Sequence, residues 1–291
     1  MHSRIARTCV LAVTAIAASV PSAHALNILF VASSDDAGFQ SYLGEKFADV
    51  SWTHMTAGTG DNQIGGTLDA TRSFGGDTMT VRSYLESFDL VIIGSPNASA
   101  QFQFGSEWAT ITSPVLVANA LVARALSGRL GLFSGDNVQN PLTFGSENET
   151  VRTSNTPLSD RIFAGVIDPT NLYLKADTDA ISSIATSGAG DILARFGPGT
   201  ANGNSVTNSY AVAYWTAGQT TGGGFTSAAD RAYIAMKGGF NVDFTDDGKL
   251  VVANLVSELT GVSQIPEPAS FAALAGLGAL GLAATRRRRQ G

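Results

Sequence analysis

FDLVIIGSPN, residues 88–97, holds an apolar run that stops abruptly at Ser95, Pro96 and Asn97. A run that is apolar on both faces does not suit a sheet with one wet side; it suits a parallel strand covered on both sides. LNILFVA at 26–32 has the same form and stops at Ser33, Ser34, Asp35 and Asp36. RLGLF at 129–133 stops at Ser134, Gly135, Asp136 and Asn137. Between these runs the pattern changes. Residues 39–47 place Phe39, Tyr42, Leu43 and Phe47 on one helical face, 50–56 suit a second strand, and a glycine-rich loop covers 58–76. A short helix is expected at 79–87, and 114–124 adds an apolar segment. Strands that alternate with helical patterns predict an α/β layered sheet. Ligands of such sheets collect at the carboxyl ends of the strands. The candidate ligand loops are therefore Ser33, Asp35 and Asp36; Ser95 and Asn97; and Ser134, Asp136 and Asn137.

The second half is less regular. Residues 171–175, 192–196, 210–216 and 231–236 are expected as short strands, antiparallel additions divided by loops rich in Gly, Ser, Thr and Asn. The last element is clearer: Thr245 can cap a helix with Asp246 and Asp247 in its first turn, an apolar face from Leu250 to Leu259, and Gly261 at its end. Asp243, Asp246, Asp247 and Gly248 do not have the spacing of a calcium loop, so capping accounts for them better.

The two ends have a different character. At the N-terminus Arg4 and Arg7 precede an apolar stretch from Cys9 to Val20, which closes on Ala23 and Ala25. About 12 apolar residues span roughly 18 Å as a helix, well short of a bilayer core of about 30 Å. Residues 1–25 are therefore read as a secretory signal peptide cleaved after Ala25, with the Sec translocon and signal peptidase as its partners. At the other end Pro266, Glu267 and Pro268 precede an uncharged stretch, Ala269 to Ala284, and then Arg286, Arg287, Arg288 and Arg289. That stretch makes a helix of about 24 Å, short but able to cross a bilayer if the arginine stems snorkel. The arginine cluster would then lie in the cytoplasm as the membrane stop, with the large domain outside.

This tail resembles the PEP-CTERM sorting signal: a Pro-Glu-Pro tripeptide, a short Ala/Gly/Leu helix and a terminal arginine run, in that order. The resemblance implies that an exosortase, an integral-membrane enzyme, recognises and cleaves at Pro266–Pro268. It also implies a Gram-negative bacterium that makes exopolysaccharide. A plain tail anchor would explain the arginines but not the tripeptide. The expected organisation is thus a signal peptide at 1–25, one exported domain at 26–264 and a sorting signal at 265–291.

Six of the 18 basic residues lie in those ends but only one of the 24 acidic ones, Glu267, so residues 26–264 keep 12 against 23, a net charge of −11. Such a surface repels phosphate backbones, which disfavours nucleic acid as a partner. After leader cleavage the chain has no Cys and one His, His54. That excludes Cys-His catalysis, thiolate metal sites and disulfides. No G-x-S-x-G elbow surrounds Ser134, so His54 is read as structural rather than as a catalytic base. No catalytic residue, metal ligand or cofactor is assigned. The aromatics Phe102, Phe104 and Trp108, and Tyr210, Tyr214 and Trp215, are sugar-stacking candidates if exposed and core if buried.

The body is similar to the class I glutamine-amidotransferase-like superfamily, including its ThuA-like branch. The carrying residues are ILFV near the start, FDLVIIGSP, Pro114–Arg124 leading to GLFSG, YIAMKGGF at 233–240, and the final helix after TDDG. The resemblance implies a flavodoxin-like sheet, but the amidotransferase cysteine has no counterpart here. Three functions stay open on the sequence. The leading expectation is an exported surface or matrix protein, non-catalytic, that passes through the inner membrane and binds a carbohydrate or exopolysaccharide. The alternatives are a ThuA-like carbohydrate-active enzyme working through Asp35, Asp36 and Asp136, with Glu107 converging on them, and an all-β adhesin.

Overall fold

The structure, a computed structural model, describes residues 25–95, 99–125, 128–135, 138–144, 150–174, 177–182, 185–201, 204–206 and 209–265. The first elements are β1 (Leu26–Val31), α1 (Ala37–Lys46), β2 (Val50–Ala57), β3 (Gln63–Ile64), β4 (Thr71–Phe74) and β5 (Asp77–Thr80). There follow α2 (Val81–Leu85), β6 (Leu90–Ile93), α3 (Gly105–Trp108), β7 (Val115–Val117) and α4 (Ala120–Ala123). The middle of the chain gives β8 (Val138–Phe144), β9 (Thr150–Arg152), α5 (Pro157–Ile162), β10 (Asp177–Ser182), β11 (Asp191–Phe196), β12 (Gly199–Ala201) and β13 (Asn204–Val206). The last elements are β14 (Ser209–Trp215), β15 (Arg231–Ile234), α6 (Phe240–Asp243) and α7 (Asp246–Thr260).

Thirteen strands share one sheet, and β4 and β5 form a separate hairpin. One side of the sheet, β3-β2-β1-β6-β7-β15, is parallel throughout. Its five main strands stand in the order second, first, third, fourth, fifth of the chain, one of the two common doubly wound orders. On the other side β14 pairs antiparallel with β15, and β10, β8, β12 and β13 continue outward, with β11 and β9 branching from β14. The protein is therefore a mixed α/β fold, and the all-β alternative fails on the parallel ladders and the helices between them.

The apolar runs become strands for the expected reason. All four residues of β6 and all but Asn27 of β1 are buried. Phe30 stacks on Trp52 with ring centroids 4.9 Å apart and meets Phe39 edge-on at 6.0 Å. Its ring passes so close to Gly94 that a Cβ there would stand 2.4 Å from it, so only glycine fits beside it at the end of β6. Thr245 caps α7 by accepting from the Gly248 N–H, and Gly261 ends the helix at φ 69°, as the sequence predicted.

Four expectations need correction. Residues 129–133 form no strand: Gly131 is left-handed at φ 65°, which breaks the run, and Phe133 makes only an isolated bridge to Arg124. Residues 171–175 likewise form no strand in the described part, Tyr173 bridging singly to Phe244. Residues 79–87 divide between β5 and α2, because the Thr80 side chain caps the helix from Ser83. β15 is no antiparallel addition but the fifth parallel strand, paired with β7 on one side and with β14 on the other. The glycine-rich loop also holds more order than expected. Arg72, nearly buried, donates to the carbonyls of Gly58, Gln63 and Gly65 and gathers β3 and β4 around itself. Among the described residues no helix is long and apolar enough to cross a membrane. Residues 1–24, with Ala23, and residues 266–291, with the tripeptide, the 269–284 segment and the arginines, lie outside the described residues.

Candidate functional site

Where β1 and β6 lie side by side, their following connections leave in opposite directions along the sheet, and a cleft opens above their carboxyl ends, as expected of a doubly wound sheet. It measures about 230 Å³ and is lined by Ser34, Asp35 and Asp36 from the loop after β1, Ser95 from the end of β6, and residues 238–242 from the loop after β15. A second hollow of about 290 Å³ continues along α1 past Ser41 and Glu45 toward Asp246 and Lys249. The two share Gly38 and Asn241. The Asn241 amide lies across Gly38 so closely that a Cβ there would meet Nδ2 at 2.2 Å.

Carboxylates organise the floor. Asp36 Oδ1 accepts the Phe39 N–H at 3.0 Å and so caps α1, while its Oδ2 accepts the Phe240 N–H at 2.8 Å. One side chain thereby ties the start of α1 to the start of α6. The tie is reinforced by Phe39 and Phe240, whose rings stack at 4.4 Å and 4°. Asp35 Oδ1 accepts the Trp52 indole N–H and the Asp36 N–H, both at 2.9 Å. Across the cleft Asp243, almost fully buried, takes the N–H groups of Lys237, Gly238 and Gly239 on Oδ2 at 2.7, 2.7 and 3.3 Å. The Ser95 hydroxyl donates to the Lys237 carbonyl at 2.9 Å.

These bonds decide what the cleft can hold. In many doubly wound proteins the N–H groups at a helix start and in the facing loop bind a phosphate. Here those of Phe39, Phe240 and 237–239 point at the protein's own Asp36 and Asp243. No basic side chain lines the cleft among the described residues. What it offers a ligand is acceptors and small polar groups: Asp35, Ser34, Ser95 and the Asn241 amide.

The structure brings Asp35, Asp36 and Ser95 together, as the strand-end argument expected. Ser33 is exposed at the start of the same loop but does not line the cleft. Ser134 is elsewhere: its N–H donates to the Thr186 carbonyl and its Oγ accepts the Thr186 N–H, tying it to the loop between β10 and β11. Glu107 does not converge on the cleft either. Its Oε2 accepts the Leu68 N–H at 2.6 Å and anchors the glycine-rich loop. Asn97, Asp136 and Asn137 lie outside the described residues. His54 shares a face with Trp52 beside Phe30, and its Nε2 lies 3.1 Å from the Ala32 carbonyl. Phe102, Trp108, Tyr210, Tyr214 and Trp215 are core, and Phe104 alone of these aromatics is exposed. Among the described residues no cluster of three or more His, Cys, Asp or Glu side chains could hold a metal ion.

Phe240, Asn241 and the glycines before them escaped the sequence reading. Their signal was the KGGF at 237–240, which follows a buried run as SSDD and SPN do. Assigning 231–236 to an antiparallel addition removed its carboxyl end from the list of candidate loops.

Beyond α7 the chain turns at Gly261 and runs through Ile265 directly into Pro266, Glu267 and Pro268. Residues 264–289 match the PEP-CTERM protein-sorting motif. A PEP-CTERM motif implies an exported protein that is processed by an exosortase and bound for the cell envelope or surface. The match concerns sorting and leaves the domain itself undescribed. No curated protein and no solved structure matches the chain, so no relative supports the resemblance to the amidotransferase-like superfamily.

Proposed function

We propose that the protein is an exosortase-processed surface or extracellular-matrix component whose domain binds neutral carbohydrate, such as an exopolysaccharide, in the cleft above β1 and β6, without catalysis. The observation that carries this reading is the lining of acceptors without a cation. Sugar hydroxyls donate to carboxylates and amides, and Asp35 is held in place for that by the Trp52 indole. Anionic polymers and nucleotides are disfavoured by the same lining and by the net charge of −11 over residues 26–264. Glycoside hydrolysis normally needs one carboxylic acid with a proton to give and a second carboxylate across the bond. Asp35 and Asp36 are neighbours in one loop, and both spend oxygens as acceptors of N–H groups.

The strand order supports a flavodoxin-like sheet with antiparallel additions. Export would begin with the signal peptide at 1–25, the Sec translocon and signal peptidase. The domain at 26–264 would then wait on the outer face of the inner membrane of a Gram-negative cell, held by the sorting signal at 265–291, until the exosortase acts on Pro266–Pro268.

Tryptophan fluorescence tests the binding. Trp108 and Trp215 are wholly buried, whereas Trp52 is half-buried and bonded to Asp35, so a ligand in the cleft shifts one reporter. Titration with neutral oligosaccharides is expected to give a saturable change that Asp35→Ala removes. A flat titration across the panel would reject the reading. A saccharide that is hydrolysed during the titration would move it to a ThuA-like carbohydrate-active enzyme.

A further inference from the structure

The two ends of the described chain meet at one pole of the domain, and the cleft stands at the other. Leu26 opens β1 at the amino end of the parallel strands, and its N–H donates to the Asp49 carbonyl. α1 starts at the cleft, where Asp36 caps it, and runs about 15 Å back to Lys46, beside Asp49. The Lys46 carbonyl is one of the last four of α1, which have no partner within the helix. Ile265 supplies one, its N–H donating at 2.7 Å. The segment before it is fastened as well: the Ser257 hydroxyl donates to the Val262 carbonyl at 2.8 Å, and the Gln264 side-chain amide to Asn254 Oδ1 at 2.6 Å. The body thus grips its own tail up to the residue before Pro266.

Reach then becomes decisive. Three residues, Pro266, Glu267 and Pro268, separate Ile265 from Ala269, where the uncharged stretch begins. Four Cα steps span at most about 14 Å even when fully extended. A domain of this size measures roughly 45 Å across, and β1 alone puts about 20 Å between the pole at Leu26 and the cleft. A tether that short on one pole leaves no room to turn the other pole to the membrane.

We propose that, while its tail is in the bilayer, the domain stands with the Lys46–Asp49 pole against the membrane surface and the cleft facing outward. The proposal rests on the reading of residues 269–284 as the membrane segment. The cleft is then open to polymer outside the cell before the protein is released. The processing enzyme must reach its tripeptide in a gap of about 14 Å beneath the domain, so peeling Ile265 from Lys46 widens its access.

The only cysteine, Cys9, lies in the leader, so the chain starting at Leu26 can carry a single introduced thiol. Ser34 at the cleft and Ser51 near the start of β2 are both exposed. Ser34→Cys and Ser51→Cys, each labelled with a fluorophore, would be reconstituted with intact tails into vesicles containing quencher-bearing lipid headgroups. Quenching at position 51 is expected to exceed that at 34 by about threefold or more, given the roughly 20 Å along β1. Inserting ten Gly/Ser residues after Ile265 should make the two positions nearly equal. Equal quenching in the native-length chain, or stronger quenching at 34, overturns the orientation. Failure of the chain to float with the vesicles overturns the membrane segment, and the orientation with it.

Discussion

The parallel and antiparallel halves of the sheet share one ladder, β14 with β15, but are written in different sequence languages. In the parallel half, LVII of β6 and VLV of β7 are buried residue by residue. In the antiparallel half β10 reads DTDAIS and β11 DILARF, and the pairings of β10 with β8 and of β11 with β14 slip at bulges. β14 is the exception. SYAVAYW is buried throughout because it lies at the seam between the halves. Continuous burial therefore follows a strand's position in the sheet rather than the direction of its neighbours.

The largest test asks whether the halves unfold together. Phe30 belongs to the parallel half and Trp215 to the seam strand, and neither is exposed to solvent. Phe30→Ala and Trp215→Ala should each cost about 3–5 kcal/mol. Both should shift one common urea transition with an unchanged slope, because Val212–Trp215 pair with Arg231–Ile234 along the whole seam. Two separated transitions in either variant would break the seam argument.

High pH should also lower the stability of the whole fold, through groups buried at and beside the seam. Burial pushes the Tyr173, Tyr214 and Tyr233 hydroxyls above their ordinary value of 10.0, aided at Tyr214 by its 2.6 Å bond to Asp230. In the unfolded chain these groups lose protons near pH 10 while the folded protein keeps them, so their contribution is complete below that pH and is lost as pH rises. Arg231 opposes this. Its guanidinium, buried among the carbonyls of Trp108, Ile111 and Ser113, is pushed down to about 10, so the unfolded state holds the extra proton between there and 12.5. The three raised tyrosines outweigh the one lowered arginine beside them, so stability falls as pH rises above 10. Denaturation at pH 9, 10 and 11 measures it, and stability that holds level or rises above pH 10 would contradict the sign.

Caps give the smallest effects. Asp36→Ala removes the α1 cap and the acceptor of the Phe240 N–H, for an expected loss of about 1–2 kcal/mol. Thr156→Ala removes the α5 cap in the antiparallel half together with an exposed contact to the Ser154 hydroxyl, for about 1 kcal/mol or less. Asp36→Ala should also weaken the saccharide response of Trp52, whereas Thr156→Ala should leave it unchanged. A reversed order would mean that Asp36 does not join α1 to the loop after β15.

Legibility followed the same division. The runs at 26–32 and 88–94 could be placed, and with them Asp35, Asp36 and Ser95, because two-sided burial leaves each a stretch, 28–32 and 90–93, with no polar residue to confuse the pattern. RLGLF imitated such a run. A left-handed Gly131 turned it aside, and Ser134 left the site with it. Nothing local distinguishes a glycine that breaks a strand from one that ends it.

The sorting motif and the apolar parallel strands were determined by the order of residues alone, since a sorting motif is a fixed succession of local features and a two-sided strand is a short apolar run. Only the tertiary structure decided that β15 is the fifth parallel strand, that the loop after it closes the cleft, and that Ile265 is fastened to Lys46 at the opposite pole. Those contacts join residues as much as about 220 positions apart, and pairing over such distances is chosen by competition among whole surfaces rather than by any local pattern.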